Sequence, residues 1–297
     1  MLAVDWGTSS LRVYRLDQAG EIVEQRSSAK GILAVQGGRF AEALEAEAGD
    51  WIAAGEAPIL MSGMIGSRQG WAEASYVECP AGFAEIGRAM KKVRWGASRA
   101  WIAPGLSCRD SSGVRDVMRG EEVQILGVLE KLGSGESLIC LPGTHSKWAL
   151  VNDMQIRRFR THMTGEVFAV LKNHSILGRM MHGEQTDETA FIEGVARAGE
   201  PGGLLHHLFG VRARGLFGEI AERSSASYLS GILIGHELRS TDIREGRFYL
   251  LCAPQLAALY SGAARAIGME AVALDPAAAV RGLFKLAAVQ HAEGEQG

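Results

Sequence analysis

The sequence predicts an α/β protein made of two tandem domains that begin alike, on three observations. The tetrapeptides Gly7-Thr8-Ser9-Ser10 and Gly143-Thr144-His145-Ser146 each follow an apolar run, "LAVDW" and "LICLP", and each precede another, "LRVYRL" and "KWALV". Both arrangements then continue through a turn, "DQAG" or "NDM", into a third strand of mixed polarity. Matched flanks of this length indicate a duplicated unit rather than one large sheet. The chain of 297 residues is also long enough for about two domains, each with its own core. The expected domains are 1–132, ending in an interdomain helix near 120–132, and 133–297, whose last helix near 277–292 is placed to fold back onto the first domain.

The elements follow from local pattern. "LAVDW" is a short apolar strand, and "LRVYRL" alternates, with Leu11, Val13 and Arg15 on one face and Arg12, Tyr14 and Leu16 on the other. "DQAG" is a hairpin turn into the strand "EIVEQRSS". "RFAEALEAEAGDWIAA" sets Phe40, Leu44, Ala48 and Trp51 or Ile52 on one helical stripe. "PILMSGMIGSRQGW" is a buried strand opening into a Gly-rich loop, "FAEIGRAMKKV" a short helix and "RAWIAPGLS" a strand. "GEEVQILGVLEKLG" has Val123, Leu126 and Leu129 or Glu130 at helical spacing, with Gly133 as its C-cap. After the second strand–turn–strand–turn–strand, "EVFAVLKNHSIL", "LLHHLFGVRARGLF", "ASYLSGILIGHEL" and "LAALYSGAARAIG" are helical, with "FYLLCAP" a strand between the last two. "AVALDPAAAVRGLFKLAAVQH" closes with a short strand and a helix.

Composition excludes several functions. With 31 basic against 34 acidic residues and a net charge of −3, there is no nucleic-acid footprint. No apolar stretch approaches the roughly 20 residues of a membrane span, and no signal-like segment precedes the first strand. Cys79, Cys108, Cys140 and Cys252 form no CxxC pair and suit a reducing compartment, so the expected location is the cytoplasm. His182, His206 and His207 have no third ligand at metal spacing and are expected as surface or helix residues.

A Gly-Thr-Ser turn between strands can aim successive N–H groups and hydroxyls at an anion, with glycine allowing close approach. Gly7, Thr8 and Ser9, and Gly143, Thr144 and His145, are therefore the expected phosphate-facing residues. Asp5 precedes the first turn, and a carboxylate facing a polyphosphate requires a cation between them, so Asp5 is the expected Mg²⁺ ligand. The competing reading of a single such turn is an aspartate capping a tight hairpin. Lys147 suits either phosphate or solvent.

The pair of turns resembles the phosphate hairpins of the actin, Hsp70 and sugar-kinase superfamily. Within it, "VDWGTSSLRVYRLD", "MSGMIGSRQGWAEASYVECP", "DVMRGEEVQILG", "LPGTHSKW", "HMTGEVFAVLKNHSIL" and "YLSGILIGHEL" resemble the bacterial 2-dehydro-3-deoxygalactonokinases, over nearly the whole chain. The resemblance implies two ribonuclease-H-like (actin-like ATPase) domains with a nucleotide cleft between them. It implies ATP and Mg²⁺ as cofactors and transfer of phosphate to the 6-hydroxyl of 2-dehydro-3-deoxy-D-galactonate in D-galactonate catabolism. Another sugar acid or sugar on the same fold is the main alternative; a nucleotide-switched interaction protein is disfavoured, because no substrate-binding β-domain or subdomain insertion is present.

Relatives carry an acidic base shortly before the second phosphate turn, where this chain offers Asp116, Glu121 and Glu122. Gly120-Glu121 matches the superfamily's Gly-Asp with Glu for Asp; Asp116 is preferred by a small margin, because the longer Glu121 suits Mg²⁺ held through water. A sugar acid needs a cation and hydrogen-bonding groups, which Gly66, Ser67, Arg68, Gln69 and the wall residue Trp71 supply, with Arg119 a second cation. On the adenosine side, Cys252-Ala253-Pro254 replaces the superfamily's glycines, leaving Gly165, Pro254 and Gln255 as contacts. Helices such as "YLSGILIGHEL" serve equally as core or as a homodimer interface.

Overall fold

The computed structural model describes residues 1–95, 98–182, 186–241, 246–275 and 277–294. The chain forms two compact units, one of Met1–Ser137, Ala149–Arg160 and Asp275–Gly297, the other of Leu138–Trp148 and Thr161–Leu274.

The first unit begins with β1 (Leu2–Trp6), β2 (Leu11–Leu16) and β3 (Ile22–Ser28), then α1 (Phe40–Ala53) and β4 (Ile59–Ser62). There follow β5 (Tyr76–Glu78), α2 (Phe83–Arg88), β6 (Lys91–Trp95), β7 (Ser98–Ile102), β8 (Gly105–Arg109), β9 (Arg115–Met118) and α3 (Glu121–Leu126). The main sheet has the order β3-β2-β1-β4-β7-β6, and β5-β8-β9 form a small second sheet. β1 pairs antiparallel with β2 and parallel with β4. Leu2, Val4, Leu11, Val13, Ile59 and Met61 pack with Phe40, Leu44, Ala48 and Trp51 of α1 in one core.

Three expectations are corrected here. "FAEIGRAMKKV" is helical only through Arg88, because Lys91–Trp95 is recruited as an edge strand antiparallel to β7, with Val93 buried. "RAWIAPGLS" is two strands in different sheets, divided at Pro104, which has no N–H to give a ladder. The helix expected over 120–132 stops at Leu126 and resumes as a 3₁₀ turn at Leu129–Lys131, all within the first unit. Its partner is the last helix, whose backbone comes so close that a Cβ on Gly127 would overlap the Ala278 carbonyl and one on Gly282 the Val123 carbonyl.

The rest of the chain, of which Ala149–Arg160 is grouped with the first unit, forms β10 (Ser137–Leu141), β11 (Ser146–Asn152), β12 (Gln155–His162), α4 (Thr164–His174), α5 (Glu188–Arg197), α6 (Gly203–Leu216) and α7 (Glu222–Arg239). It continues with β13 (Arg247–Leu250), α8 (Pro254–Ala266) and β14 (Glu270–Ala273); α9 (Ala278–Gly294) belongs to the first unit. The sheet order β12-β11-β10-β13-β14 repeats β3-β2-β1-β4-β7, with β13 parallel to β10 and β14 parallel to β13. This order, three meandering strands and then two parallel ones reached by crossovers, is the ribonuclease-H-like arrangement in both sheets. The turns at 7–10 and 143–146 occupy the same place in each, between its first and second strands.

α5 has no counterpart in the sequence reading. It packs on α7 through Gly194 and Gly231, where a Cβ would overlap the Tyr228 and Phe191 carbonyls respectively. "YLSGILIGHEL" is core: Tyr228, Leu229, Ile232, Leu233, Ile234 and Leu238 are all buried. Among the described residues, no helix is long and apolar enough to cross a membrane.

Candidate active site

β1 carries Asp5 to the edge of the first turn. Its register partner on β2 is Arg12, whose Nη1 donates to Asp5 Oδ2 at 3.1 Å. Burial pushes the Asp5 carboxyl above its usual range, and the Arg12 charge opposes that shift. The turn is closed by Gly7 N–H donating to the Ser10 carbonyl at 2.9 Å and backed by Ile32 N–H donating to the Gly7 carbonyl at 3.0 Å. Gly31 permits this backing, since a Cβ there would overlap the Thr8 carbonyl. Thr8 and Ser9 remain exposed at the tip.

Two glycines bring α3 to the same place. Gly63, just past β4, has φ 95°, and a Cβ on it would lie 2.8 Å from the Trp6 carbonyl. Gly120, the residue before α3, has φ 106°, and its Cβ would lie 3.1 Å from Gly63 Cα. Glu121 therefore starts its helix two glycines, Gly120 and Gly63, away from the end of β1. Its Oε2 accepts from the Arg119 N–H at 3.0 Å. Glu122 is fully buried, and its two oxygens accept from the Gly120 N–H at 2.7 and 3.0 Å. Burial, with the neighbouring Glu121 charge adding to it, pushes the Glu122 carboxyl up to about 8. Asp116 lies on β9 opposite Cys108, with Oδ1 accepting from the Val117 N–H at 2.7 Å.

In the Gly-rich loop, Arg68 is in solvent (87% exposed) and paired with Glu73 at 3.1 Å, and Gln69 is exposed. Trp71 is half-buried, edge-on to Trp95. The cation on the loop's inner side is Arg119. Its Nη2 donates to the Ala74 carbonyl at 2.7 Å, its guanidinium lies 4.4 Å from the Tyr76 ring centre, and Gly66 leaves room for Nη1. Arg119 Nε and Nη1 and Ser67 Oγ are buried with no hydrogen-bond partner among the described residues.

In the second unit, α4 begins against the second turn. Glu166 N–H donates to the Thr144 carbonyl at 2.9 Å, and a Cβ on Gly165 would overlap the Gly143 carbonyl. Thr164, Gly165 and Glu166 form the first turn of α4. His145 Nε2 pairs with Glu166 Oε2. Lys147 is buried, with Nζ donating to Thr161 Oγ1 at 2.8 Å, so it does not face solvent. His207 is likewise fully buried, its Nδ1 2.9 Å from His236 Nε2.

A cavity of about 770 Å³ opens beside this turn, within the range of small-molecule sites. Gly143, Thr164 and Gly165 line one end, Gln255 and Tyr260 of α8 one side, and Phe191, Leu233 and Ile234 the apolar remainder. Pro254, at the first position of α8, starts the helix that carries Gln255. Asp187 lines the cavity too; the Ser224 hydroxyl donates to it at 2.6 Å and draws its carboxyl below the usual range. Asp187 and Phe191, at the start of α5, lie in no motif that points to this cavity; they line it together with Lys172 of α4 only once the helices pack.

Two ribonuclease-H-like units, each with a glycine–hydroxyl turn at the same position, define an actin-like ATPase fold. Residues 5–286 match the model of the 2-keto-3-deoxy-galactonokinase family, and the chain belongs to that family. A protein of Rhizobium meliloti (strain 1021) described as a probable 2-dehydro-3-deoxygalactonokinase is 37% identical, covering 96% of this chain and 95% of its own length. The 2-dehydro-3-deoxygalactonokinase of Escherichia coli (strain K12) is 35% identical, over 92% of each chain. A crystal structure of a family member from Sinorhizobium meliloti superposes with a TM-score of 0.88 at 36% identity, covering 98% of both chains. The family consists of phosphotransferases, and this chain is an enzyme of that class.

Proposed function

We propose that this chain transfers the γ-phosphoryl group of ATP to the 6-hydroxyl of 2-dehydro-3-deoxy-D-galactonate, a step of D-galactonate catabolism in the cytoplasm. The observation that carries the reading is the family match across residues 5–286, nearly the whole chain. In the first unit, Gly7, Thr8 and Ser9 face phosphate oxygens; in the second, Gly143, Thr144 and His145 do so. The cavity beside α4 takes the nucleoside, with Gly165 at its polar end and Gln255 along its side.

Asp5 suits Mg²⁺. This ion is commonly held by one or two carboxylates together with phosphates and water rather than by an all-protein cage. A single carboxylate beside an exposed hydroxyl turn fits that requirement, and no group of three or more ligating side chains occurs among the described residues. When bound, the ion would neutralise charge on the transferring phosphate.

Glu121 accepts the proton of the substrate hydroxyl in this reading, in preference to Asp116. The Trp6–Gly63–Gly120 contacts bring the start of α3 toward the end of β1, the strand that carries Asp5, whereas the Asp116 carboxylate accepts from its neighbour's N–H on β9. Glu122, predominantly neutral near pH 7, adds little negative charge next to that base. For the substrate carboxylate, Arg119 with Ser67 replaces Arg68, because their buried donors are unspent while Arg68 is solvated and paired. Reaching those donors requires the loop from Gly66 to Ala74 to shift, with Gln69 and Trp71 moving with it. The test is product analysis: ¹³C–³¹P coupling at C6 supports the reading, and phosphate on any other oxygen overturns it.

A further inference from the structure

The wall between the second turn and the nucleoside cavity is a hydrogen-bonded network whose proton directions can be worked out. Glu237 on α7 is 4% exposed. Its Oε1 accepts from Trp148 Nε1 at 2.8 Å; its Oε2 accepts from the Tyr260 hydroxyl at 2.8 Å and from the Thr164 hydroxyl. Both hydroxyls donate to Glu237, so each spends its single hydrogen there. Ser146 Oγ stands 3.1 Å from the Tyr260 oxygen. With the tyrosine hydrogen committed, Ser146 has to be the donor of that pair. The order therefore runs from Ser146 to Tyr260 to Glu237, and separately from Thr164 to Glu237.

Thr164 and Tyr260 both line the cavity. Thr164 can offer a ligand lone pairs but no hydrogen. That polarity opposes an ionised phosphate and suits a ligand hydroxyl. Thr164 sits at the end of the cavity shared with Gly143 and Gly165, while the rest is largely apolar. In a nucleotide, the group between the phosphates and the flat base is the ribose.

We propose that Thr164 accepts a hydrogen from a ribose hydroxyl of the bound nucleotide, and that Glu237 is the positioning residue that holds Thr164 in this acceptor orientation. The proposal rests on reading the cavity as the nucleotide site. Replacing Glu237 by Gln keeps the volume but puts an amide donor into the network, which frees one hydroxyl to turn its hydrogen outward.

Calorimetric titration with ADP, 2′-deoxy-ADP and 3′-deoxy-ADP, without magnesium, tests this directly. The unaltered protein binds at least one deoxy form about fivefold or more weaker than ADP, the size of one lost hydrogen bond. Thr164→Ser keeps that preference. Thr164→Val abolishes it by weakening ADP to the level of the deoxy form. Glu237→Gln lowers the preference while ADP still binds and the near-ultraviolet circular dichroism is unchanged, a pattern that a merely structural role would not produce. Equal binding of all three nucleotides by the unaltered protein, or a preference surviving in Thr164→Val, overturns the proposal. Absence of ADP binding overturns it together with the nucleotide reading of the cavity.

Discussion

Glu122→Gln should change how stability depends on pH, and the size of the effect follows from burial. The carboxyl rises from 4.5 in an open chain to about 8 in the fold, because it is fully buried and beside Glu121. Between those values the native state holds a proton that the unfolded chain releases, so stability falls as pH rises through this window. The contribution is full below the open-chain value and is lost once pH passes about 8. At about 1.4 kcal/mol per pKa unit, the loss has a ceiling of roughly 4–5 kcal/mol. Glutamine can still accept from the Gly120 N–H, so at acid pH the substitution costs only about 1 kcal/mol. Urea unfolding read by tryptophan fluorescence reports mainly on the first unit, which holds Trp6, Trp51, Trp71, Trp95 and Trp101, against Trp148 in the second. The unaltered protein should lose stability from about pH 5 to about pH 9 more steeply than Glu122→Gln, so that the variant becomes the more stable at the alkaline end. Parallel pH profiles for the two proteins would refute the buried neutral acid.

Asp5→Asn should remove most of the activity at saturating magnesium while circular dichroism and melting show an intact fold; a soluble, fully active variant removes the metal role. Glu121→Gln should lower kcat by about 10²–10⁴-fold with little change in ADP affinity, whereas Asp116→Asn should stay within a few-fold of the unaltered enzyme. Steady-state kinetics and ADP titration of both variants check this. Arg119→Met should raise KM for the sugar acid by about tenfold or more, as expected for a lost charged hydrogen bond, with KM for ATP unchanged. Arg68→Met, at a solvated ion pair, should leave both KM values near their starting points.

The strand-and-turn openings of both units were legible because they are local. Alternation in "LRVYRL" and the Gly-Thr-Ser tetrapeptides need no distant partner, and both turns lie between the first two strands of their sheets. What the pattern missed depends on long-range packing. The run 120–132 has good helical periodicity, but close approach of α9 at Gly127 and Gly282 accompanies a break after six residues. α5 is the exception, since it carries local signals: the Asp187 side chain caps it by accepting from the Ala190 N–H, and Ala190, Phe191, Gly194 and Val195 form one buried stripe. Arg68 stood out as the cation of a Gly-rich loop. Only the fold shows that Arg119, remote in sequence, occupies the inner side of that loop. Glu237 falls within "YLSGILIGHEL", in the last turn of α7, but nothing in that run marks it as a polar hub, and only the fold shows three separate elements converging on it.

The central claim is that this fold and these turns phosphorylate a keto-deoxy sugar acid. ADP release coupled to NADH oxidation, measured across a panel of 2-keto-3-deoxy acids, neutral sugars and polyols, tests it most directly. The account predicts that 2-dehydro-3-deoxy-D-galactonate gives the highest kcat/KM and that activity requires both ATP and Mg²⁺. Turnover with a neutral sugar, and none with any keto-deoxy acid, would contradict it.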